Sequence, residues 1–134
     1  IRVIKGIHFD RVNNYDNEDE IKFKISPNSD RIGLRLIDYK IKLNDYSEIE
    51  STVVTKGSIQ IPKDGNPIIL MSDSQSTGGY PIFGNVCKID ISKLSQVKPN
   101  QKIKFKFISL KESNKLIEYE KEKFKSKLNL DLSS

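Results

Sequence analysis

The chain has 134 residues and a mass of 15.4 kDa, which is enough for one domain with a buried core. Hydrophobic residues make up 36% and charged residues 31%, a composition typical of a soluble globular domain and not of a disordered chain. No apolar run approaches the roughly 18 residues of a membrane span, one cysteine excludes an internal disulfide, and one histidine excludes a multi-histidine metal site.

The net charge of +5 does not predict a nucleic-acid partner. Only four of the 23 basic residues are Arg, the residue best suited to phosphate and base edges. The lysines instead alternate with apolar residues in segments 21–25, 39–43 and 102–107, as on the solvated face of a strand. The first residue is Ile and the chain does not open with a secretory signal pattern, so we expect a cytoplasmic polypeptide cut from a longer one.

Period-2 alternation predicts antiparallel strands in the first half of the chain. The predicted strands cover residues 1–7, 21–25, 33–36 and 39–43. Residues 10–20 are polar and predict a loop or at best a weak helical turn, and the cluster Ser26–Asp30 predicts a turn.

The second half continues the same pattern and ends in a helix. Strands are predicted at 53–54, 58–61, 68–71, 82–91 and 102–108, with one helical turn at most over 91–96 and a C-terminal helix over 111–128. The apolar run at 68–71 predicts a strand buried on both faces. Residues 1–134 are therefore predicted to form a single mainly-β domain, an antiparallel β-barrel with one C-terminal helix.

A polar segment, Ser72–Pro81, follows the buried strand and is the main candidate site. Asp73 is the candidate catalytic group, since its carboxylate can carry charge or transfer a proton. Gln75, Thr77 and Tyr80 offer hydrogen-bonding side chains, and Gly78 and Gly79 allow backbone N–H groups to approach an anion or carbonyl. Such a set suits a small amide or carboxylate. The alternative is a flexible Ser/Gly loop.

For residues outside this segment, a structural role competes with a functional one. Arg31 either binds a substrate carboxylate or pairs with Asp30. Gln60 faces away from Ile59 and Ile61, so its amide either reads an amide or lactam in a pocket or is exposed. His8 and Cys87 are interpreted as a surface histidine and a small buried side chain.

Four blocks of sequence resemble a known family. Ile1–Gly6, Ser26–Leu36, Gly57–Pro62 and Gly65–Pro81 are similar in residues and order to allophanate hydrolase subunit 2, a biotin-dependent carboxyltransferase-like family. That family includes the C subunit of 5-oxoprolinase and a kinase-inhibitor antagonist. The resemblance is to the C-terminal half of a longer polypeptide. It implies a cyclophilin-like barrel and adds Asn28 and Asp30, in the second block, to the candidate substrate-binding residues.

The resemblance also implies a function and partners. The chain would be a component of a complex that acts on a small amide, lactam or carboxylate at an interface with an allophanate hydrolase subunit 1-like protein, together with the N-terminal half of its own subunit. The implied activities are ATP-dependent hydrolysis of 5-oxoproline and carboxyl transfer from biotin, with ATP or biotin supplied through the complex and none bound by this domain, which would be inactive alone. The alternative is a non-catalytic interaction module or a degenerate fragment.

Overall fold

Ten short strands and two helices make up the fold in the computed structural model, which describes residues 1–16, 18–47, 49–50, 53–72, 74–75 and 79–133. For residues 18, 74, 75 and 130–133 only the backbone is described. The strands are β1 (Arg2–Lys5), β2 (Phe23–Ile25), β3 (Gly33–Ile37), β4 (Val53–Val54), β5 (Ser58–Gln60), β6 (Ile68–Leu70), β7 (Ser74–Gln75), β8 (Ile82–Val86), β9 (Lys102–Ile103) and β10 (Lys106–Phe107). The helices are α1 (Lys88–Leu94) and α2 (Leu110–Ser133).

Eight of the strands form one sheet that closes on itself. Their order is β10-β1-β8-β5-β6-β3-β2-β9, and a separate ribbon pairs β4 with β7. The two ends of the sheet, β9 and β10, are consecutive pieces of one segment: β9 pairs with β2, and β10 pairs with β1. The predicted mainly-β barrel with a C-terminal helix is therefore confirmed, and α2 extends beyond the predicted 111–128.

The barrel interior holds the main hydrophobic core. Alternation along the strands sends one set of side chains inward, and the largest fully buried ones are Phe23, Phe83 and Phe105. A smaller cluster of Val54, Leu70 and Ile82, with Ile68 packed against it, lies apart from this core. Cys87 is buried, as its interpretation required.

Four details of the secondary structure differ from the prediction. The β1–β10 pair is parallel, so the sheet is not wholly antiparallel. Residues 39–43 form no strand, and Leu43 makes only an isolated bridge to Val12. The strand predicted over 82–91 ends at Val86. The chain then forms α1, which is longer than the single turn predicted over 91–96.

Candidate functional site

Tyr80 stands between two clefts on one side of the barrel. It is 41% exposed, and together with Pro62 it lines both. The first cleft has a volume of about 390 Å³ and is lined by polar groups of Asn28, Arg35 and Asn66 among others. We call it the Asn28 cleft. The second, the Tyr46 cleft, has a volume of about 520 Å³ and is bounded by Tyr46 and Gly79. The structure thus brings three predicted site residues, Asn28, Gly79 and Tyr80, to adjoining surfaces.

Gln60 has a buried amide with an unused donor. The side chain is 6% exposed, and its Nε2 has no hydrogen-bond partner within the part of the chain that is described. Gln60 is therefore not the exposed residue that one alternative required. An amide donor that is buried without an acceptor costs about 1–3 kcal/mol, which makes a native example notable.

The sheet places Gln60 on the same face as the Asn28 cleft. Gln60 is opposite Ile68 on β6 and Ile82 on β8, and Ile68 is in turn opposite Arg35 on β3. Residues opposite one another across strands project to the same face. Because neighbouring strands lie about 4.8 Å apart, the Cα atoms of Arg35 and Gln60 are separated by about 10 Å. Ile59 and Ile61 project to the other face and join the main core, as predicted from alternation.

Arg35 is a candidate that sequence reasoning missed. Its side chain is exposed at the Asn28 cleft, and the ion pairs between described residues do not include it. Its position within the block Ser26–Leu36 and its alternation with Leu34 and Leu36 could have identified it, but the same alternation is typical of a solvated strand face. Its guanidinium supplies a cation beside the polar groups of the cleft.

Asp30 and Arg31 do not join the clefts. One Asp30 carboxylate oxygen accepts the backbone N–H groups of Ile32 at 2.9 Å and Gly33 at 3.0 Å. These bonds to Gly33 and Ile32 lower the pKa of Asp30, because they stabilise the ionised carboxylate. Arg31 is exposed and forms no ion pair with Asp30. Asp30 therefore closes the turn that leads into β3.

Gly79 approaches another backbone segment closely. It has a φ of +60°, and a Cβ at this position would overlap with the carbonyl oxygen of Ile49. Only glycine satisfies both conditions without displacement. This contact fixes the position of the backbone directly before Tyr80.

Several predicted site residues lie outside what the structure describes. Asp73, Thr77 and Gly78 are not among the described residues, and only the backbone of Gln75 is, where it pairs with Val53. Their role as a set that binds a small amide or carboxylate remains a prediction. Across the described ranges, no group of three His, Cys, Asp or Glu side chains is placed to hold a metal ion, and no helix is long and apolar enough to cross a membrane.

Comparison with known proteins gives concordant matches. Residues 1–107 match the family model for the carboxyltransferase domain, subdomain A and B. The chain is 42% identical over 95 residues to the C subunit of 5-oxoprolinase from Haemophilus influenzae, a match that covers 71% of this chain and 31% of that protein. It is 33% identical over 106 residues to urea amidolyase of Lachancea kluyveri, which covers 72% of this chain and 6% of that protein.

A solved structure agrees with these matches. The crystal structure of the K. lactis urea amidolyase superposes with a TM-score of 0.76 at 26% identity, over 88% of this chain and 8% of that one. The matched part spans less than a third of the length of the 5-oxoprolinase relatives. The resemblance seen in the sequence blocks is confirmed, and the chain belongs to the carboxyltransferase domain family, subdomain A and B.

Proposed function

We propose that this chain is the part of a 5-oxoprolinase-type complex that binds a small substrate bearing an amide, lactam or carboxylate carbonyl. The observation that carries the proposal is the buried Gln60 Nε2 without an acceptor among the described residues. A substrate carbonyl oxygen would accept this donor and recover the free energy that its burial costs. Relatives at 42% and 37% identity are C subunits of 5-oxoprolinase, which supports a lactam over other amides.

Arg35 supplies the second recognition element. Its guanidinium lies on the same face as Gln60, at the rim of the Asn28 cleft. A guanidinium binds a carboxylate through two parallel hydrogen bonds, which a lysine cannot do. A substrate with a carboxylate at the rim and a carbonyl toward Gln60 would use both. Asp73, which follows β6 in the sequence, stays our candidate for the catalytic group.

The site would be completed by other polypeptides. Tyr46 and Tyr80 are exposed aromatic residues at the Tyr46 cleft, and exposed aromatic surface is typical of protein interfaces. We infer that the partners are an allophanate hydrolase subunit 1-like protein and the remaining part of the polypeptide to which this domain belongs, with the whole in the cytoplasm. The sequence lacks the Gly-Lys-Ser/Thr end of a P-loop, so ATP or biotin would reach the complex through its other parts.

The test is turnover in the assembled complex. The chain would be co-expressed with both of these partners, and ATP-dependent conversion of 5-oxoproline to glutamate would be measured. Gln60→Met, which keeps the volume and removes the donor, is expected to lower turnover at least tenfold. Since Nε2 has no partner to lose among the described residues, removal of the unpaired donor should not destabilise the fold and should raise the free energy of unfolding by up to about 1–3 kcal/mol.

Matched controls separate this outcome from general damage. Gln96→Met is the same change at an exposed position, and Arg31→Ala matches Arg35→Ala at an exposed arginine outside the cleft. We expect both controls to retain wild-type turnover and Arg35→Ala to raise KM. Absence of turnover in the complete wild-type complex would exclude the 5-oxoprolinase assignment. Retained turnover in Gln60→Met and Arg35→Ala, with partner binding intact, would favour the non-catalytic interaction module.

A further inference from the structure

His8 holds the start of β8 through two reciprocal hydrogen bonds. Its imidazole Nδ1 accepts the backbone N–H of Ile82 at 3.0 Å. In return, the His8 backbone N–H donates to the Ile82 carbonyl at 3.2 Å. His8 therefore continues the β1–β8 pairing beyond Gly6 with a side chain in place of a backbone acceptor.

The Ile82 N–H, which donates to the His8 imidazole, is the first backbone N–H after Tyr80. Pro81 has no N–H, so the backbone directly after Tyr80 can form hydrogen bonds only through the Pro81 carbonyl and through Ile82. The Pro81 carbonyl accepts the N–H of Ile61, and the Ile82 N–H goes to His8. Ile82 is 8% exposed, so loss of the imidazole acceptor would leave a buried donor unpaired.

The entrance to the same segment is held separately. Gly79 packs against the Ile49 carbonyl, where a Cβ would not fit. The segment Gly79–Ile82 is thus fixed at its N-terminal end by the close contact of Gly79 with the Ile49 carbonyl and at its C-terminal end by a hydrogen bond to the titratable His8 imidazole. Tyr80, which lines both clefts, lies between the two.

We propose that His8 is a positioning residue for Tyr80, and that it acts only as the neutral imidazole protonated on Nε2, since protonation of Nδ1 abolishes the acceptor. The hydrogen bond itself does not depend on the proposed function; its effect on substrate binding does. His8 was interpreted from the sequence as a surface histidine, and the structure shows it half-buried with its ring bonded to the backbone of β8.

Partial burial of His8 favours its neutral form. Burial, followed by the nearby Arg11 cation, lowers the pKa of His8, while Asp10 opposes the shift. On the facing segment Gly79–Ile82, Tyr80 is the titratable residue. Because the folded pKa lies below the unfolded one, the neutral form contributes stability that is full above pH 6.5 and is lost as the pH falls through the folded pKa.

The direct test is amide hydrogen exchange at Ile82, measured by NMR between pH 5 and 8 and expressed as a protection factor. Three proteins are compared: wild type, His8→Asn, whose Oδ1 lies near the place of Nδ1 and does not titrate, and His8→Ala. We expect wild-type protection of Ile82 to fall at least tenfold as His8 protonates. His8→Asn should stay protected throughout, and His8→Ala should be unprotected throughout.

The outcomes separate this proposal from the proposed function. Equal Ile82 protection in wild type and His8→Ala, or a pH-independent wild type, would overturn the positioning role whatever the substrate. In the assembled complex, KM for 5-oxoproline should rise toward pH 5.5 in wild type and stay level in His8→Asn. A complex without turnover, in which Ile82 protection still follows the His8 titration, would refute the substrate and leave the positioning role standing.

Discussion

At the scale of single residues, two glycines share a backbone conformation but differ in their surroundings. Gly57 has a φ of +95° and Gly79 a φ of +60°, a region that other residues adopt at a cost. A Cβ at Gly57 would meet the flexible end of Ile91, whose Cδ1 lies 3.3 Å away. A Cβ at Gly79 would meet the rigid carbonyl of Ile49. The pair therefore separates conformational strain from steric exclusion.

We expect Gly57→Ala to destabilise the fold by about 1 kcal/mol, which is the cost of the positive φ alone. Gly79→Ala should cost more, at least about 2 kcal/mol, because the backbone at Gly79 or Ile49 must also move. The measurement is urea unfolding followed by circular dichroism. Equal effects of the two changes would show that the close approach at Gly79 does not constrain the folded state.

Prediction from the sequence worked where alternation alone decides the result. Alternation predicts that Gln60 projects to the other face of β5 from Ile59 and Ile61. The structure confirms this, because Ile59 and Ile61 project into the main core and Gln60 projects to the outer face with Ile68. The sequence could not show that Gln60 is buried, because its surroundings depend on the pairing of β5 with β6 and β8, which places Ile68 and Ile82 beside it. Arg35 was missed for the same reason: period-2 patterning identifies a face but not what lies above it.

At the scale of elements, α1 is tied to β1 by an ion pair between the buried Asp90 and the partly exposed Arg2. The Asp90 side chain is 1% exposed. Its carboxylate accepts hydrogen bonds from the Arg2 guanidinium, from Nη2 at 2.7 Å and from Nε at 3.0 Å, and from the Arg2 backbone N–H at 2.7 Å. Burial alone would raise the pKa of Asp90, but the hydrogen bonds from Arg2 and Lys93 outweigh burial and hold the pKa far below its usual value.

Removal of Arg2 should therefore lower the unfolding free energy more than removal of Lys93. Arg2→Ala removes the guanidinium and leaves Asp90 with only the backbone N–H of residue 2 and Lys93, which should cost about 2 kcal/mol of unfolding free energy. Lys93→Ala, at an exposed position of the same ion pair network, should cost less than about 1 kcal/mol. Because the folded pKa of Asp90 lies below the unfolded value of 3.8, this stability is present above about pH 4 and is lost on further acidification.

Urea unfolding at pH 7 and at pH 3 would measure both effects. The difference between wild type and Arg2→Ala should shrink at pH 3. A difference that is independent of pH would show that Arg2 acts through packing of its aliphatic stem and not through its charge.

The same ion pair explains why α1 was predicted as part of a strand. Ile89 and Ile91 are β-branched and alternate with polar residues, which is the pattern of a strand. The helix forms because Asp90 and Leu94, four residues apart, are both buried on one side. Burial of a carboxylate is favourable only with its partner Arg2, 88 residues away, and local patterning carries no information about such a partner.

At the scale of the whole molecule, α2 divides into a packed and an unpacked part. Ser113 is buried, and Leu116 and Ile117 are half-buried. From Glu118 to Asn129 every side chain is exposed. Periodicity predicted this helix because its apolar residues recur at helical spacing, but Tyr119 and Phe124 do not contribute to the core of the domain.

A chain that ends after Ile117 should keep its unfolding free energy within about 1 kcal/mol, since the side chains described in the removed part are exposed. A chain that ends after Ser109 also loses Leu116 and Ile117, and should be destabilised by at least about 2 kcal/mol. Thermal and urea unfolding would compare the two. Substantial destabilisation by the shorter deletion would indicate that the distal helix packs on the barrel.

The closure of the barrel by residues 102–107 has a consequence for synthesis on the ribosome. Of the strands of this domain, β1 is translated before the others, yet its neighbours are β8 and β10. The Ile1 carbonyl, for example, accepts the N–H of Lys106. Until β8 and β10 have been translated, the backbone N–H and C=O groups of β1 lack their partners. Exposed strand edges of this kind associate with other chains. Late, long-range pairing of this kind also slows folding. During synthesis, this domain should therefore depend on cellular protection until residues 102–107 have been translated.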